Sequence, residues 1–288
     1  MKTNAIVRIV LFSIAILVLG GILVGGMLLY TFAANTDWGN VSEYVGGFFA
    51  TTDGTVASVG EISAAEVKNI EIDWTSGSVT INKADVDTIS FAETPGLDEN
   101  QKMLWKLQGD TLVISNSRYR VIIGISKSKD LVVTVPMDWD CKDLEIETVS
   151  ADITVDSLTV EDVAISAVDG KCDFLGNCAI ADLNIETVSG DITFKGTLGK
   201  LECEAVDADF RGTFTSAPNR LYLNSVDGSF DLKFPVDIGF TAALNTVSGN
   251  FTSYFPTTNS GNRYVCGDGA CTIEINSVSG GLTINKAE

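Results

Sequence analysis

The residues able to do chemistry in this chain are carboxylates and thiols: 38 Asp and Glu stand against 19 Lys and Arg, six cysteines are present, and histidine is absent. Without imidazole there is no Ser-His-Asp or Cys-His arrangement, no His metal site and no unperturbed side chain titrating near neutrality. Hydrolysis would have to rest on carboxylates, Lys, Tyr or Cys. A formal charge of −19 repels nucleic acid and anionic lipid headgroups, so no nucleic-acid partner is expected.

The cysteines separate by context. Cys266 and Cys271 flank Gly267-Asp268-Gly269-Ala270, where flexible glycines can let two sulfurs meet, and a disulfide is expected there. Cys172 and Cys203 fall in inward columns of the repeat set out below and read as small buried hydrophobes. Cys141 and Cys178 fall in turn segments and take no assigned partner. Cys-x-x-Cys does not occur, which argues against a zinc ribbon or a thioredoxin-type site.

The elements that position these groups are set by a repeat. The phrase Val-[Ser/Asp]-[Gly/Ala] occurs at Val149, Val168, Val188, Val206, Val226, Val247 and Val278, at intervals of 19, 20, 18, 20, 21 and 31. An earlier variant is Thr75-Ser76-Gly77. Five residues before the valine stand Leu144, Val163, Leu183, Leu201, Leu221, Ala242 and Ile273. Three before it stand Ile146, Ile165, Ile185, Cys203, Leu223, Leu244 and Ile275, and four and six after it come pairs such as Ile153 with Val155 and Ile192 with Phe194. Offsets of −5 and −3, then +4 and +6, are period 2, so each repeat holds two half-buried strands separated by a corner at the small residues. The Val column and these four supply roughly 35 inward positions. Because Ala151 and Ala208 occupy the Gly column, close packing explains that column better than a left-handed backbone. One-faced strands in a repeat of about 20 residues bury that face only by stacking on the next repeat. The fold class is therefore all-β, a single-stranded β-solenoid resembling a β-helix.

Stacking puts Glu186 beside Glu204 and Asp207 beside Asp227, about 4.8 Å apart. Their repulsion is relieved by solvent or by a cation such as Ca²⁺. The calcium β-roll nonapeptide is absent and a solvated acidic face is the simpler reading, so no cofactor is expected, with Ca²⁺ at these four residues the one candidate. Lys171, Lys195, Lys200, Arg211, Arg220 and Lys233 scatter over the repeats without forming a constellation with carboxylates. No catalytic residues are assigned. Tyr222, Tyr254, Phe255 and Tyr264 could build an aromatic patch, though ordinary strand packing is the better explanation.

The N-terminal part is of another kind. Ile9 to Ala34 carries no charge, long enough as a helix to cross a hydrocarbon core of roughly 30 Å and too long for an ordinary signal-peptide core. Lys2 and Arg8 precede it and Asp37, Glu43 and Asp53 follow, placing the N-terminus in the cytoplasm and the remainder outside. Gly21 and Gly25 have a helix-pairing spacing. The expected organisation is a cytoplasmic tail at 1–8, a transmembrane helix at 9–34, a tether at 35–67 and an extracytoplasmic solenoid at 68–288. Within the solenoid, 68–136 forms an irregular capping part, 137–288 the regular repeats, and 252–271 an insertion. In the capping part, Gln108-Gly109-Asp110 turns between two strands and Leu131-Val132-Val133-Thr134-Val135-Pro136 is a strand stopped by proline.

Leu131 to Pro136, Leu144-Glu145-Ile146-Glu147-Thr148-Val149-Ser150-Ala151-Asp152-Ile153 and Thr187-Val188-Ser189-Gly190-Asp191-Ile192 resemble the membrane-anchored bacterial β-solenoid family of unknown function whose members are described as adhesins by fold analogy. The resemblance covers 68–288. It implies an N-terminal membrane segment and a non-catalytic envelope role, with a link to envelope stress for some members. The expected function is a cell-membrane protein, held in the bilayer through 9–34, that presents a rigid surface to an envelope protein or glycan. A stress sensor acting through a membrane partner and a carbohydrate-active β-helix are the alternatives.

Overall fold

The computed structural model describes residues 54–116 and 128–287. The expected tail, the membrane helix with Gly21 and Gly25, and the tether up to residue 53 lie outside these residues. No helix among the described residues is long and apolar enough to cross a membrane.

The strands at the start of the described chain are β1 (Thr55–Val56), β2 (Val59–Ser63), β3 (Asn69–Ala84), β4 (Thr88–Glu93), β5 (Leu104–Gln108), β6 (Thr111–Ser115) and β7 (Lys129–Pro136). The regular coils follow as β8 (Cys141–Asp156), β9 (Thr159–Ala167), β10 (Cys172–Ser189), β11 (Ile192–Asp207), β12 (Phe210–Phe214), β13 (Arg220–Asp227) and β14 (Phe230–Phe234). The far end comprises β15 (Phe240–Ser248), β16 (Phe251–Ser253), β17 (Thr258–Ser260), β18 (Arg263–Cys266), β19 (Cys271–Ser279) and β20 (Leu282–Lys286).

Coil stacks on coil through parallel ladders, with Leu183 beside Leu201, Leu201 beside Leu221 and Leu221 beside Ile273. Residues before each corner form a first ladder and residues after it a second, in which Ile192 lies beside Phe210 and Phe210 beside Phe230. The −5 and −3 columns are buried throughout, and the +4 and +6 columns nearly so, Phe251 and Ser253 being the half-exposed exceptions. The solenoid expected from period 2 is thus the observed architecture.

The Val column departs from expectation. Val149, Val168 and Val247 are 50%, 46% and 49% exposed. Alternation runs −5, −3, −1 and resumes at +2, so the inward residue before the corner is not Val but its predecessor: Thr148, Ala167, Thr187, Ala205, Ser225 and Ser277 are buried. Thr187, Ser225 and Ser277 each donate to the carbonyl oxygen two residues on, at Ser189 (3.0 Å), Asp227 (2.6 Å) and Ser279 (2.9 Å). The Asp227 and Ser279 carbonyls also accept the Ala208 and Gly228 amides, so there the inward hydroxyl adds a second hydrogen bond at the corner carbonyl.

The corner combines two demands. A Cβ on Gly190 would lie 1.9 Å from the Gly170 carbonyl oxygen of the neighbouring coil, so close approach holds as expected. Against expectation, Gly170, Gly190, Gly228 and Gly280 also take positive φ, +130° at Gly190 and +145° at Gly280, whereas Gly249, Ala151 and Ala208 do not. The two alanines mark coils whose corner runs through ordinary backbone space.

The coils do not stack in chain order. Although β3 comes first in the chain, it lies between β8 and the later pair β6 and β7. At the other end, β19 and β20 lie between β13 with β14 on one side and β15 with β16 on the other. The coil left outermost at the far end is the one that continues into the β17–β18 hairpin, and β18 folds back antiparallel on β15. At the near end antiparallel β5 and β4 cover β6 and β7, and β2 covers β4. Exchanging the order lets each outer coil cover its edge with the chain adjoining it, which blocks end-to-end pairing. Within the segment 252–271, β17 and β18 form an antiparallel hairpin. The expected tether is shortened, because β1, β2 and the 3₁₀ turn at Ala64–Glu66 already belong to the folded cap.

The interior holds an aromatic stack along the axis. Phe174, Phe194, Phe214 and Phe234 follow one another at 5.9, 5.7 and 5.0 Å between centroids. From Phe214 onward the ring moves from the +6 to the +8 position, and Gly212 at +6 leaves the space, since a Cβ there would lie 2.6 Å from the Phe214 ring. The near cap contains a buried polar centre. The Lys129 ammonium sits 4.7 Å from the centroid of the Trp74 ring, pairs with the Glu93 carboxylate, and donates to the carbonyl oxygens of Asn116 and Gln101, the latter at 2.7 Å.

Candidate interaction surface

The outward face of the first ladder carries three polar columns and then the valines. Six before the valine stand Asp143, Asp162, Asp182, Lys200 and Arg220. The next outward column holds Glu145, Ala164, Asn184, Glu202, Tyr222 and Glu274, and the one after it Glu147, Ser166, Glu186, Glu204, Asn224 and Asn276. Strand alternation sends every second side chain outward, and parallel in-register stacking makes each column a straight row.

Two shallow depressions cross this face. One of about 870 Å³ is lined from Asp143 and Asp162 to Lys200, Arg220 and Tyr222. The other, of about 300 Å³, lies between the Glu186 and Glu204 row and the valines. Lys200 and Arg220, expected to be scattered, are neighbours in register, and the first depression is acidic at one end and of mixed charge at the other, where Glu202 and Glu274 lie beside them. Lys200 pairs with Asp182 at 2.8 Å, and the Arg220 guanidinium lies 5.3 Å from the Tyr222 ring and 3.9 Å from Glu274. Both depressions are open, with carboxylates, amides and one aromatic ring, a lining suited to holding an extended polar ligand rather than enclosing a small one.

The expected stacking of acids is observed, Glu186 beside Glu204 and Asp207 beside Asp227. They lie in two different columns on either side of the valine row, and among the described residues no group of three or more acids or thiols could hold a metal ion. Ser189 donates to Asp169 at 3.0 Å and Ser279 to Asp227 at 3.2 Å, so hydroxyls on neighbouring coils interrupt that acidic row. The aromatic candidates do not gather: Phe255 is buried, Tyr264 stacks on Phe251 at 3.8 Å, Tyr254 is 66% exposed, and Tyr222 alone lines the groove.

Cys266 and Cys271 are free thiols. Both lie beside Phe240, but on strands along opposite edges of β15, one antiparallel and one parallel. Two strand spacings, about 9.6 Å, exceed the reach of a disulfide, so the expected bridge is not made. Cys141 and Cys178 lie in strands rather than turns, buried like Cys172 and Cys203. Burial pushes the thiols of Cys141, Cys172, Cys203 and Cys271 up to about 12, so they stay protonated and unreactive near neutrality.

Sequence reasoning missed the Lys129–Glu93 centre, because the two residues lie 36 apart in the irregular cap and neither has a motif. It also missed the asparagine row. Asn276 donates to Asn224 at 2.8 Å, Asn245 to Asn276 at 2.9 Å, and Asn262 to Asn245. The signal was present as Asn224, Asn245 and Asn276, each two before its valine.

The family model for Toastrack DUF4097 matches residues 67–197 and again 174–285. Solved structures similar to the chain include a putative cell adhesion protein from Clostridium sporogenes, 12% identical over 82% of this chain and 100% of that one, with a TM-score of 0.38. A putative adhesin from Bacteroides fragilis is 13% identical over 78% of this chain and 95% of that one, with a TM-score of 0.41. The comparison with curated proteins gives no match. The two overlapping matches span the solenoid from its near cap to its last coil, and the chain belongs to the Toastrack DUF4097 family.

Proposed function

We propose that this chain is a non-catalytic cell-envelope protein, anchored through residues 9–34, whose solenoid presents the outward face of its first ladder to a glycan or protein of the envelope. The observation that carries this reading is the straight, in-register rows of outward polar side chains over a buried apolar core, a rigid surface several coils long. Its thiols are buried with raised pKa values, and its carboxylates lie in open rows rather than around an enclosed cleft. Such a face suits adhesion better than turnover.

The test uses the full chain in its native membrane, with a photocrosslinking residue in place of Tyr222 and, separately, of Thr193 on the second ladder. Capture of envelope glycan or a defined envelope protein from position 222 is expected. Capture from neither position, or release of reducing ends from a polysaccharide by the purified chain, overturns the reading.

A further inference from the structure

The valine of each repeat lies outside the buried core. The −5 and −3 columns are buried throughout, yet this β-branched residue recurs at each corner outside the core: Val149, Val168 and Val247 are exposed, and Val188, Val206, Val226 and Val278 are half-exposed. In-register stacking joins the valines into one apolar ridge along the solenoid axis. Glu186 and Glu204 flank it on one side; Asp169, Asp207 and Asp227 flank it on the other. Among the described residues no Lys or Arg pairs with these five carboxylates, whereas Lys200, Arg211 and Arg220 elsewhere on the surface do find acids.

We infer that this ridge docks a cationic polypeptide segment of a partner protein, with aliphatic side chains on the valines and Lys or Arg reaching the carboxylate rows on both sides. The inference rests on the scaffold reading above and names the partner's chemistry. Charge complementarity selects the occupant. A second copy of the chain would bring the same acidic rows into contact, anionic lipid and acidic polymer are repelled, and a neutral glycan leaves the carboxylates unanswered and the valines against a hydroxylated surface. A basic, aliphatic segment meets both demands and removes apolar area from water.

The test is binding to the full-length chain in mild detergent, measured by fluorescence anisotropy with a labelled peptide of five Lys-Val-Ser triplets. Peptides of five Lys-Ser-Ser and five Glu-Val-Ser triplets serve as controls. The Lys-Val-Ser peptide should bind, and at least tenfold more tightly than either control. Affinity should drop at least tenfold in the triple variant Val168→Ser, Val188→Ser, Val206→Ser, and again in Glu186→Gln, Glu204→Gln, Asp207→Asn. These positions are exposed or half-exposed, and the folding of each variant is checked by circular dichroism. Raising salt from about 0.05 M to about 0.5 M should weaken binding. Equal binding of the Lys-Ser-Ser peptide, or unchanged affinity in the valine variant, reduces the ridge to bare charge and overturns the inference, as does no binding or ridge-dependent binding of a neutral peptidoglycan strand. If the valine variant binds like the unaltered chain while envelope material is still captured from position 222, the ridge falls and the scaffold reading stands. If the peptide binds as expected and nothing is captured there, the scaffold reading falls and the ridge stands.

Discussion

Lys129 shows what a single side chain does in this fold. It is 3% exposed beside the fully buried Glu93 carboxylate, and burial lowers its pKa while Glu93 opposes that shift. Glu93 also accepts the Met103 amide at 2.7 Å, and the Trp74 indole donates to the Lys129 carbonyl oxygen at 2.9 Å. This centre therefore ties β3, β4 and β7 to the loop before β5. Lys129→Ala leaves a buried carboxylate without its cation and should cost about 3–5 kcal/mol. In urea unfolding, Lys129→Met combined with Glu93→Leu should recover much of that loss; a double variant no more stable than the single would show that packing, not charge, dominates there. The thiols make a second residue-scale prediction. At pH 8 the folded chain should resist alkylation, and unfolding should release six alkylatable thiols; four would restore the Cys266–Cys271 bridge. Because four of the thiols sit at about 12 against an ordinary value near 9, the folded state keeps protons that the unfolded state releases. Their contribution to stability is complete below pH 9 and is lost as pH rises from there towards 12.

At the scale of the element, the corner sets the coil. Gly190→Ala places a Cβ against the Gly170 carbonyl oxygen in a backbone conformation unsuited to it. Strain and overpacking together predict a loss of about 2–6 kcal/mol, whereas Ala151→Gly, at a corner without positive φ, should cost only about 0.5–1 kcal/mol. Comparing the two melting curves checks whether the column is one motif or two. The strands themselves were legible because period 2 is written directly in Leu144, Ile146, Ile153 and Val155, and all four are buried. Which residue faced in at the corner was not, because a hydroxyl or methyl at Thr187, Ala205 or Ser225 does not look like core until its partner carbonyl is known. The Val looked like core by hydropathy alone. The groove went unread for a related reason: Lys200 and Arg220 share a column, but only in-register stacking makes them neighbours to each other and to Asp182 and Tyr222.

At the scale of the molecule, the order of stacking is the feature that sequence leaves open. Every coil carries nearly the same phrase, so β13 would accept β15 or β19 as its neighbour with similar burial, and the choice falls to what the ends require. The chain after β16 forms the hairpin that covers β15, so the coil of β15 and β16 belongs outside and the last coil within, where the Asn224, Asn276, Asn245 and Asn262 amides link β13, β19, β15 and the turn of the β17–β18 hairpin. The two orders differ in one measurable pairing. In the observed order Tyr222 lies beside Glu274, and Glu274 beside Ala243. Tyr222 and Ala243 are then two spacings apart, about 9.6 Å, and out of disulfide reach. Tyr222→Cys with Glu274→Cys should oxidise to an intramolecular bridge in the folded chain, and Tyr222→Cys with Ala243→Cys should not. The reverse result would mean that the coils stack in chain order, and that the hairpin covers something other than the end of the solenoid.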